Sequence, residues 1–431
     1  MAREHVVAGI DVGTSKIVTI IGSPSQDGDI NVIGVATVPS RGLRKSQVVD
    51  IEEAISAISE SLEGAERMAG YAVSSAYVSV GGGHIASQNS HGVVAVAEPE
   101  KEISENDVKR VVEAAKAISL SSSREILHVL PRGFIVDAQE GIKDPVGMTG
   151  VRLEVDTHLV TGGATALRNL SKCVSEVGVD VDGLVFGGLA ASEAVLSETE
   201  KELGVILVDI GGGTTDICIF VEGALSYSSV LPIGAKNITN DLAIGLRASL
   251  ESAEKIKLAL SKKTLVPTMP EEEGESIKVK EDEVDLTSLG LSEDVRKVSK
   301  KTLSEGIIKP RLNEIFAMVS LEVKKSGFGG MTPSGLVLTG GGAETVAIVE
   351  VAKRNMAMPV RVGIPTHISG LIDEIISPSF AASVGLLVYG TRVGEKSLGG
   401  FSFPSFFRLA GKIPIKGAAG KLIDLVKSFM P

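Results

Sequence analysis

Only two cysteines, Cys173 and Cys218, occur in 431 residues. Both sit in apolar contexts without metal-ligand spacing, which excludes a disulfide framework and points to buried thiols in a reducing compartment. No uncharged apolar run approaches the ~18 residues needed to cross a bilayer, so membrane contact is expected to be peripheral. The N-terminus leads directly into a strand-like run without a charged and then apolar leader, so no secretory signal is expected. An excess of basic charge is also missing: the net charge of −11 argues against nucleic acid as the main partner. The length suits two or more domains, each with its own core.

Against these absences stand two short glycine-rich stretches of nearly the same pattern, GIDVGTSK at Gly9 to Lys16 and DIGGGTTD at Asp209 to Asp216. Each follows a β-branched run (Val6 to Ala8, Val205 to Val208) and leads through Thr or Ser into another, which reads as a hairpin whose bend holds a phosphate. Glycine at Gly13, Gly211, Gly212 and Gly213 lets backbone N–H groups approach an oxyanion, and successive inward N–H groups form an anion nest. Thr14, Ser15, Thr214 and Thr215 offer hydroxyl donors and Lys16 a positive charge for phosphate oxygens. Asp11 and Asp209 face a cation, and Mg²⁺ suits two carboxylates acting partly through water. One such loop is more often just a tight turn; two matching loops reverse that balance.

A third piece is the strand-like run Gly335 to Thr339, ending in Gly340-Gly341-Gly342-Ala343, where exposed backbone can lie against adenine or ribose. In AEKIK, Glu254 and Lys257 share a helix face and are candidates for ribose and base, or else form a solvated ion pair. The order of phosphate loop, connecting helix (Gly188 to Leu196), second phosphate loop and adenosine loop resembles the actin, Hsp70 and sugar-kinase ATPase superfamily. Within it the chain is similar to the FtsA family of actin-like bacterial cell-division proteins. That likeness rests on VAGIDVGTSKI, VDIGGGTTDI, LPIGAKNITNDLA (with Gly234), AEKIK, LVLTGGGA and a short amphipathic tail.

The resemblance implies an α/β actin-like ATPase fold of two RNase H-like halves around a nucleotide cleft, with an inserted subdomain 1C and a C-terminal amphipathic helix. The expected division is 1–83 and 162–203 for the first half (subdomain 1A), with 382–396 returning to it, and 84–161 for subdomain 1C. Residues 204–240 and 323–381 form the second half (2A), 241–322 subdomain 2B, 397–419 a linker, and 420–431 the membrane-targeting helix. It implies ATP and Mg²⁺ as ligands. The implied partners are further copies in a filament, the acidic C-terminal peptide of FtsZ, an anionic lipid membrane and later division proteins, with localisation at the cytoplasmic face of the membrane at the division site. Lys300, Lys301 and Arg311 are the candidates for the FtsZ peptide.

The chain departs from many superfamily ATPases at the connecting helix, where Gly187-Gly188-Leu189-Ala190 carries neither Glu nor Gln to orient water or metal. Glu193 is the nearest acid, so binding is a firmer expectation than brisk hydrolysis. Two relatives of the fold stay open, a small-molecule kinase and the pilus-assembly protein PilM. An Hsp70-like chaperone lacks room for its peptide-binding domain.

Local patterns fill in the frame. Ile51 to Met68 has the helical period, with apolar residues at Ile51, Ala54, Ile55, Ile58, Leu62 and Ala65. In the insert, strands are expected at Gly92 to Ala97, Arg124 to Ala138 and Val151 to Val160, with a helix from Ser104 to Ile118. Residues 262–310 read as the least regular stretch. Phe401, Phe403, Phe406 and Phe407 concentrate aromatics in the linker, either anchoring it on the core or entering a membrane. In the tail, Leu422, Ile423, Leu425, Val426, Phe429 and Met430 fall on one helical face opposite Lys421, Asp424, Lys427 and Ser428. That face docks on the protein's own core or lies in a membrane interface, and the long linker favours the membrane.

Overall fold

The computed structural model describes residues 6–25, 29–97, 102–261, 283–293, 297–371 and 375–398. The linker beyond Leu398 and the tail, with Leu422, Ile423, Leu425, Val426, Phe429 and Met430, lie outside the described residues, as do residues 262–282.

The runs of β-branched residues fold as two sheets of matching topology. In the first, Val7–Val12, Lys16–Pro24 and Ile30–Pro39 form an antiparallel meander, and Ser75–Val80 and Asp180–Phe186 extend it with parallel pairings on the Val7–Val12 side. The second repeats the plan: Val205–Ile210, Thr215–Val221 and Ala224–Leu231 meander, while Leu336–Thr339 and Val360–Val362 add parallel strands. Ile368–Gly370 pairs parallel with the far edge of the first sheet. These central strands are buried along most of their length, as expected for sheets covered on both faces.

Helix Ile51–Ala69 starts at Asp50, whose side chain accepts from Glu53 N–H at 3.0 Å, and ends at Gly70 in the left-handed conformation. It buries Ala54, Ala57, Ile58, Leu62 and Ala65, the stripe that its period implies. The connecting helix, Gly187–Val195, crosses the final helix, Ala381–Leu398, so closely that a Cβ on Gly385 would lie 1.8 Å from the Ala190 carbonyl oxygen.

Between the strands of the first half sits an antiparallel sheet of its own, in the order Ala86–Ala95, Arg152–Gly163, Arg124–Val136, Gln139–Ile142. Helix Glu105–Lys116, capped reciprocally by Ser104 and Asp107, covers it with Val108, Val111, Val112 and Ala115. The first strand begins at Ala86, six residues before the apolar run that suggests it, and the helix ends at Lys116 rather than Ile118. Ser87 and Asn89, on one face of that strand, meet another strand's polar edge. Ser87 Oγ donates to Ser228 O at 2.6 Å, Asn89 Nδ2 to Ser226 O at 3.2 Å and Arg132 Nε to Ser226 Oγ at 3.0 Å, while His158 Nε2 lies 2.9 Å from Ser228 Oγ. The insert thereby rests on the edge strand of the second half.

Residues 283–310 contain more order than their composition suggests. Glu283–Asp285 pairs with Lys297–Ser299, and a wide helical stretch, Thr302–Ile308, runs into helix Lys309–Ser326. Leu286, Leu303, Ile308, Leu312 and Phe316 are buried in the core of the second half.

Candidate nucleotide site

Both glycine stretches are hairpin bends closed the same way. Gly13 N–H donates to Lys16 O at 3.1 Å, and Gly211 N–H to Thr214 O at 2.9 Å. The flanking pairs Val12 with Ile17 and Ile210 with Thr215 end the ladders. The two bends face each other closely: a Cβ on Gly212 would lie 2.0 Å from Ser15 Oγ, and one on Gly213 2.8 Å from Thr14 Oγ1. Behind the second bend, helix Ala235–Leu246 starts at Gly234, where Ala235 and Lys236 N–H donate to Gly211 O and Gly212 O at 2.9 Å each. A Cβ on Gly234 would come within 2.6 Å of Gly211 O, so glycine is required there. Lys236 Nζ reaches across to Thr14 O at 2.8 Å. Thr215 Oγ1 donates to Ile233 O at 2.9 Å.

The third loop packs on the second bend. Gly340 has φ +79°, and a Cβ there would lie 2.1 Å from Asp209 Oδ1 and 2.6 Å from Ile210 O. A short turn, Gly341–Glu344, follows and buries Gly342 and Ala343. Glu254 and Lys257 form an ion pair at 2.7 Å with Lys257 buried, and the Thr239 hydroxyl contacts both.

Three carboxylates converge behind the bends. Asp11 receives Ser79 Oγ at 2.6 Å and Ser383 Oγ at 2.9 Å on its two oxygens. Ser79 Oγ in turn accepts from Val12 N–H at 2.9 Å. Burial, with the charge of Asp11 second, pushes the Asp209 carboxyl up to about 7. Asp216 is also raised, by burial first and then by Asp209 and Asp11, against a hydrogen bond from Gly188 N–H. Its Oδ1 is buried without a hydrogen-bond partner among the described residues. Lys16 Nζ donates to Ser379 Oγ at 3.1 Å and lies 3.5 Å from the Phe380 ring centroid. Burial lowers its pKa, partly offset by Asp11 and Glu344.

Ser46, Ser79, Asp216, Lys236, Ser379 and Ser383 were not among the residues singled out as site candidates from the sequence. Asp216 closes the second motif and was legible there; the others carry no local pattern. Glu193 lies 2.5 Å from Arg392 Nη1 and 3.6 Å from Lys201 Nζ, an ion cluster with the final helix. Away from the cleft, Lys300 and Lys301 are exposed. The Arg311 fork engages Asp241 at 2.6 and 2.9 Å and also meets Glu314.

Comparison with known proteins places this geometry in a family. The sequence family described as "Cell division protein FtsA" matches residues 206–385, and "SHS2 domain inserted in FTSA" matches 82–161. The Pseudomonas aeruginosa cell division protein FtsA is 42% identical over 389 residues, covering 89% of each chain. The chain belongs to the FtsA family. The FtsA of Escherichia coli K12 is 37% identical over 89% of this chain and 90% of its own, and that of Bacillus subtilis 39% over 91% and 85%. Among solved structures, a PilM–PilN type IV pilus biogenesis complex superposes with TM-score 0.61 at 14% identity, covering 89% of this chain and 98% of that one. The ethanolamine utilization protein EutJ from Carboxydothermus hydrogenoformans gives 0.51 at 17%, covering 89% and 90%. Those two show a shared fold alone. As an FtsA-family member the chain is an actin-like cell-division protein with an SHS2 insertion, which leaves neither PilM nor a small-molecule kinase as the reading of its sequence.

Proposed function

We propose that this chain binds ATP with Mg²⁺ between its halves and assembles with further copies into an actin-like filament. In this reading the filament tethers FtsZ to the cytoplasmic face of the membrane at the division site, where later division proteins join. The nucleotide part is carried by one observation, the apposition of two equivalent glycine bends in front of three carboxylates. The residues fit both ligands. The bends meet with no room for a Cβ at Gly212, whose place lies 2.0 Å from Ser15 Oγ, so the backbone and hydroxyl groups of both halves come together at one junction. The partnerless oxygen of Asp216, with the burial and then the neighbouring carboxylate charge that raise Asp209 and Asp216, is a donor set whose charge a hard cation relieves.

Asp11, held at both oxygens by Ser79 and Ser383, and Asp209 would hold the cation partly through water and orient the attacking water. Thr14, Ser15, Lys16 and Gly212 to Thr214 would bind phosphate oxygens through N–H, hydroxyl and ammonium donors, while the Gly13 and Gly211 N–H groups and the Thr215 hydroxyl shape the bends by donating to Lys16 O, Thr214 O and Ile233 O. Gly234, Glu254, Lys257 and Gly340 to Ala343 form the adenosine side. Mg²⁺ supplies charge neutralisation on the phosphates when bound. Turnover is expected to be slow or absent, because the connecting-helix acid Glu193 is held by Arg392 and Lys201. Lys300, Lys301 and Arg311 would meet the acidic FtsZ peptide, which competes with Asp241 for the Arg311 fork.

The tail would attach the filament. One short amphipathic helix binds an interface weakly, and a filament presents many together, so attachment depends on assembly. Flotation with anionic liposomes tests this. The full chain with ATP and Mg²⁺ should float. Deletion of 420–431, or Leu425→Asp with Phe429→Asp, should abolish flotation and leave calorimetric ATP binding unchanged. Full flotation of both variants overturns the tether.

A further inference from the structure

A short hairpin that no glycine motif marks reaches into the gap between the two bends. Leu43–Arg44 pairs with Gln47–Val48, so Lys45 and Ser46 are its two-residue tip. Both adopt the left-handed conformation, with φ +49° and +58°, although neither is the Gly or Asn that such a tip favours. A strained tip persists only where its surroundings hold it. Here they do: Ser46 N–H donates to Thr14 Oγ1 at 2.8 Å, and Ser46 Oγ lies 3.3 Å from Thr14 Oγ1 and 3.1 Å from Thr214 Oγ1. The tip backbone is equally close, since a Cβ on Gly213 would come within 3.0 Å of Lys45 Cα. Ser46 is thus the hydroxyl that joins the bend of one half to the bend of the other.

The hydrogen-bond count at this junction leaves something over. Three hydroxyls bring three protons, and the two contacts among them use two. One donor remains for an oxygen outside the trio.

We propose that Ser46 is a positioning residue that reads the terminal phosphate of a bound nucleoside triphosphate. Through the trio Thr14–Ser46–Thr214 the hairpin tip is held differently with a triphosphate than with a diphosphate. This rests on the nucleotide reading above and deepens it, because it names the group that distinguishes the two ligands. A ligand shifts such an arrangement only by its differential affinity for the two states, so the effect must appear as a ratio of affinities.

The test is calorimetry of the full chain with Mg²⁺ and either AMP-PNP or ADP, on the parent, Ser46→Ala and Ser46→Gly. Both variants should lose about tenfold in AMP-PNP affinity and less than about twofold for ADP, the loss expected when a hydrogen bond to a charged oxygen is removed. Ser46→Gly accepts the left-handed tip without strain, so its melting temperature should equal or exceed that of the parent and separate lost recognition from lost folding. Equal losses for both nucleotides would make Ser46 a structural clamp and overturn the proposal, as would no loss for either. Failure of the parent itself to bind either nucleotide overturns the nucleotide reading, and this one with it.

Discussion

The two glycine bends have the same backbone and opposite contents. The first places Thr14 and Ser15 where the second has Gly212 and Gly213, and the side chains of the first occupy the space that Cβ atoms of the second would need. Where the first bend carries the Thr14 and Ser15 hydroxyls, the second has bare backbone and brings its hydroxyl one residue later, at Thr214. Their acids differ in the same way, since Asp11 is held by two serine hydroxyls while Asp209 is buried against the Asp11 charge and pushed up to about 7. A repeated fold therefore supplies the geometry twice, and complementary side chains let the two bends close on each other.

The largest effect should come from forcing the two bends apart. Gly212→Val is expected to weaken ATP binding by at least about a hundredfold in calorimetry, the equivalent of a clash of roughly 3 kcal/mol. The milder Gly212→Ala sharpens the comparison, because the atom it meets is Ser15 Oγ. Adding Ser15→Gly to Gly212→Ala should recover part of the loss, a coupling that a double-mutant cycle measures. Simple additivity of the two changes would mean that the bends do not share the space.

Next is a buried histidine that ties the insert to the cleft. His128 Nε2 accepts the N–H of Phe186, directly ahead of Gly187 and Gly188 beside Asp216. Burial lowers its pKa from 6.5 to about 4. The folded protein thus holds His128 neutral while the unfolded chain protonates it. Its contribution is fully present above pH 6.5 and is lost as pH falls toward about 4, on the order of 3 kcal/mol in all. His128→Gln keeps an acceptor and removes the titration. The drop in unfolding free energy between pH 7.5 and 5 should be about 2 kcal/mol smaller in this variant than in the parent. An identical drop in both would show that His128 does not titrate differently on folding.

The smallest effect separates the two acids. Ser79→Ala removes a donor to Asp11 and the acceptor of Val12 N–H. It should cost about tenfold in affinity for ATP with Mg²⁺ and much less for ATP alone; Ser383→Ala, which loses one donor only, should cost about threefold. If the losses persist unchanged without Mg²⁺, the serines support the bend and not a cation site.

The hairpins, the helix over 51–69 and the third glycine loop were legible in the sequence, because each is encoded by neighbours along the chain. The strand at 86–91 was not: Ser87, Gln88, Asn89 and Ser90 are poor strand signals, and they pair with Thr157 to Val160 while Ser87 and Asn89 also bond the polar edge of Ala224–Leu231. Ser46 was hidden for a related reason, since a serine beside two basic residues reads as a solvated turn until Thr14 and Thr214 surround it.

The sequence alone determined the backbone, through glycines that permit the tight bends and β-branched runs that force the strands around them. Identities of 42% and 37% to relatives over 89% of the chain likewise settled the family. The tertiary structure alone decided which groups serve those bends. Ser383 meets Asp11 across 372 residues, Lys236 meets Thr14 across 222, and Ser46 meets Thr214 across 168. The reason is range. Backbone preference acts over a few neighbouring residues, whereas hydrogen bonds and desolvation depend on what packing brings within about 3 Å, whatever its place in the chain.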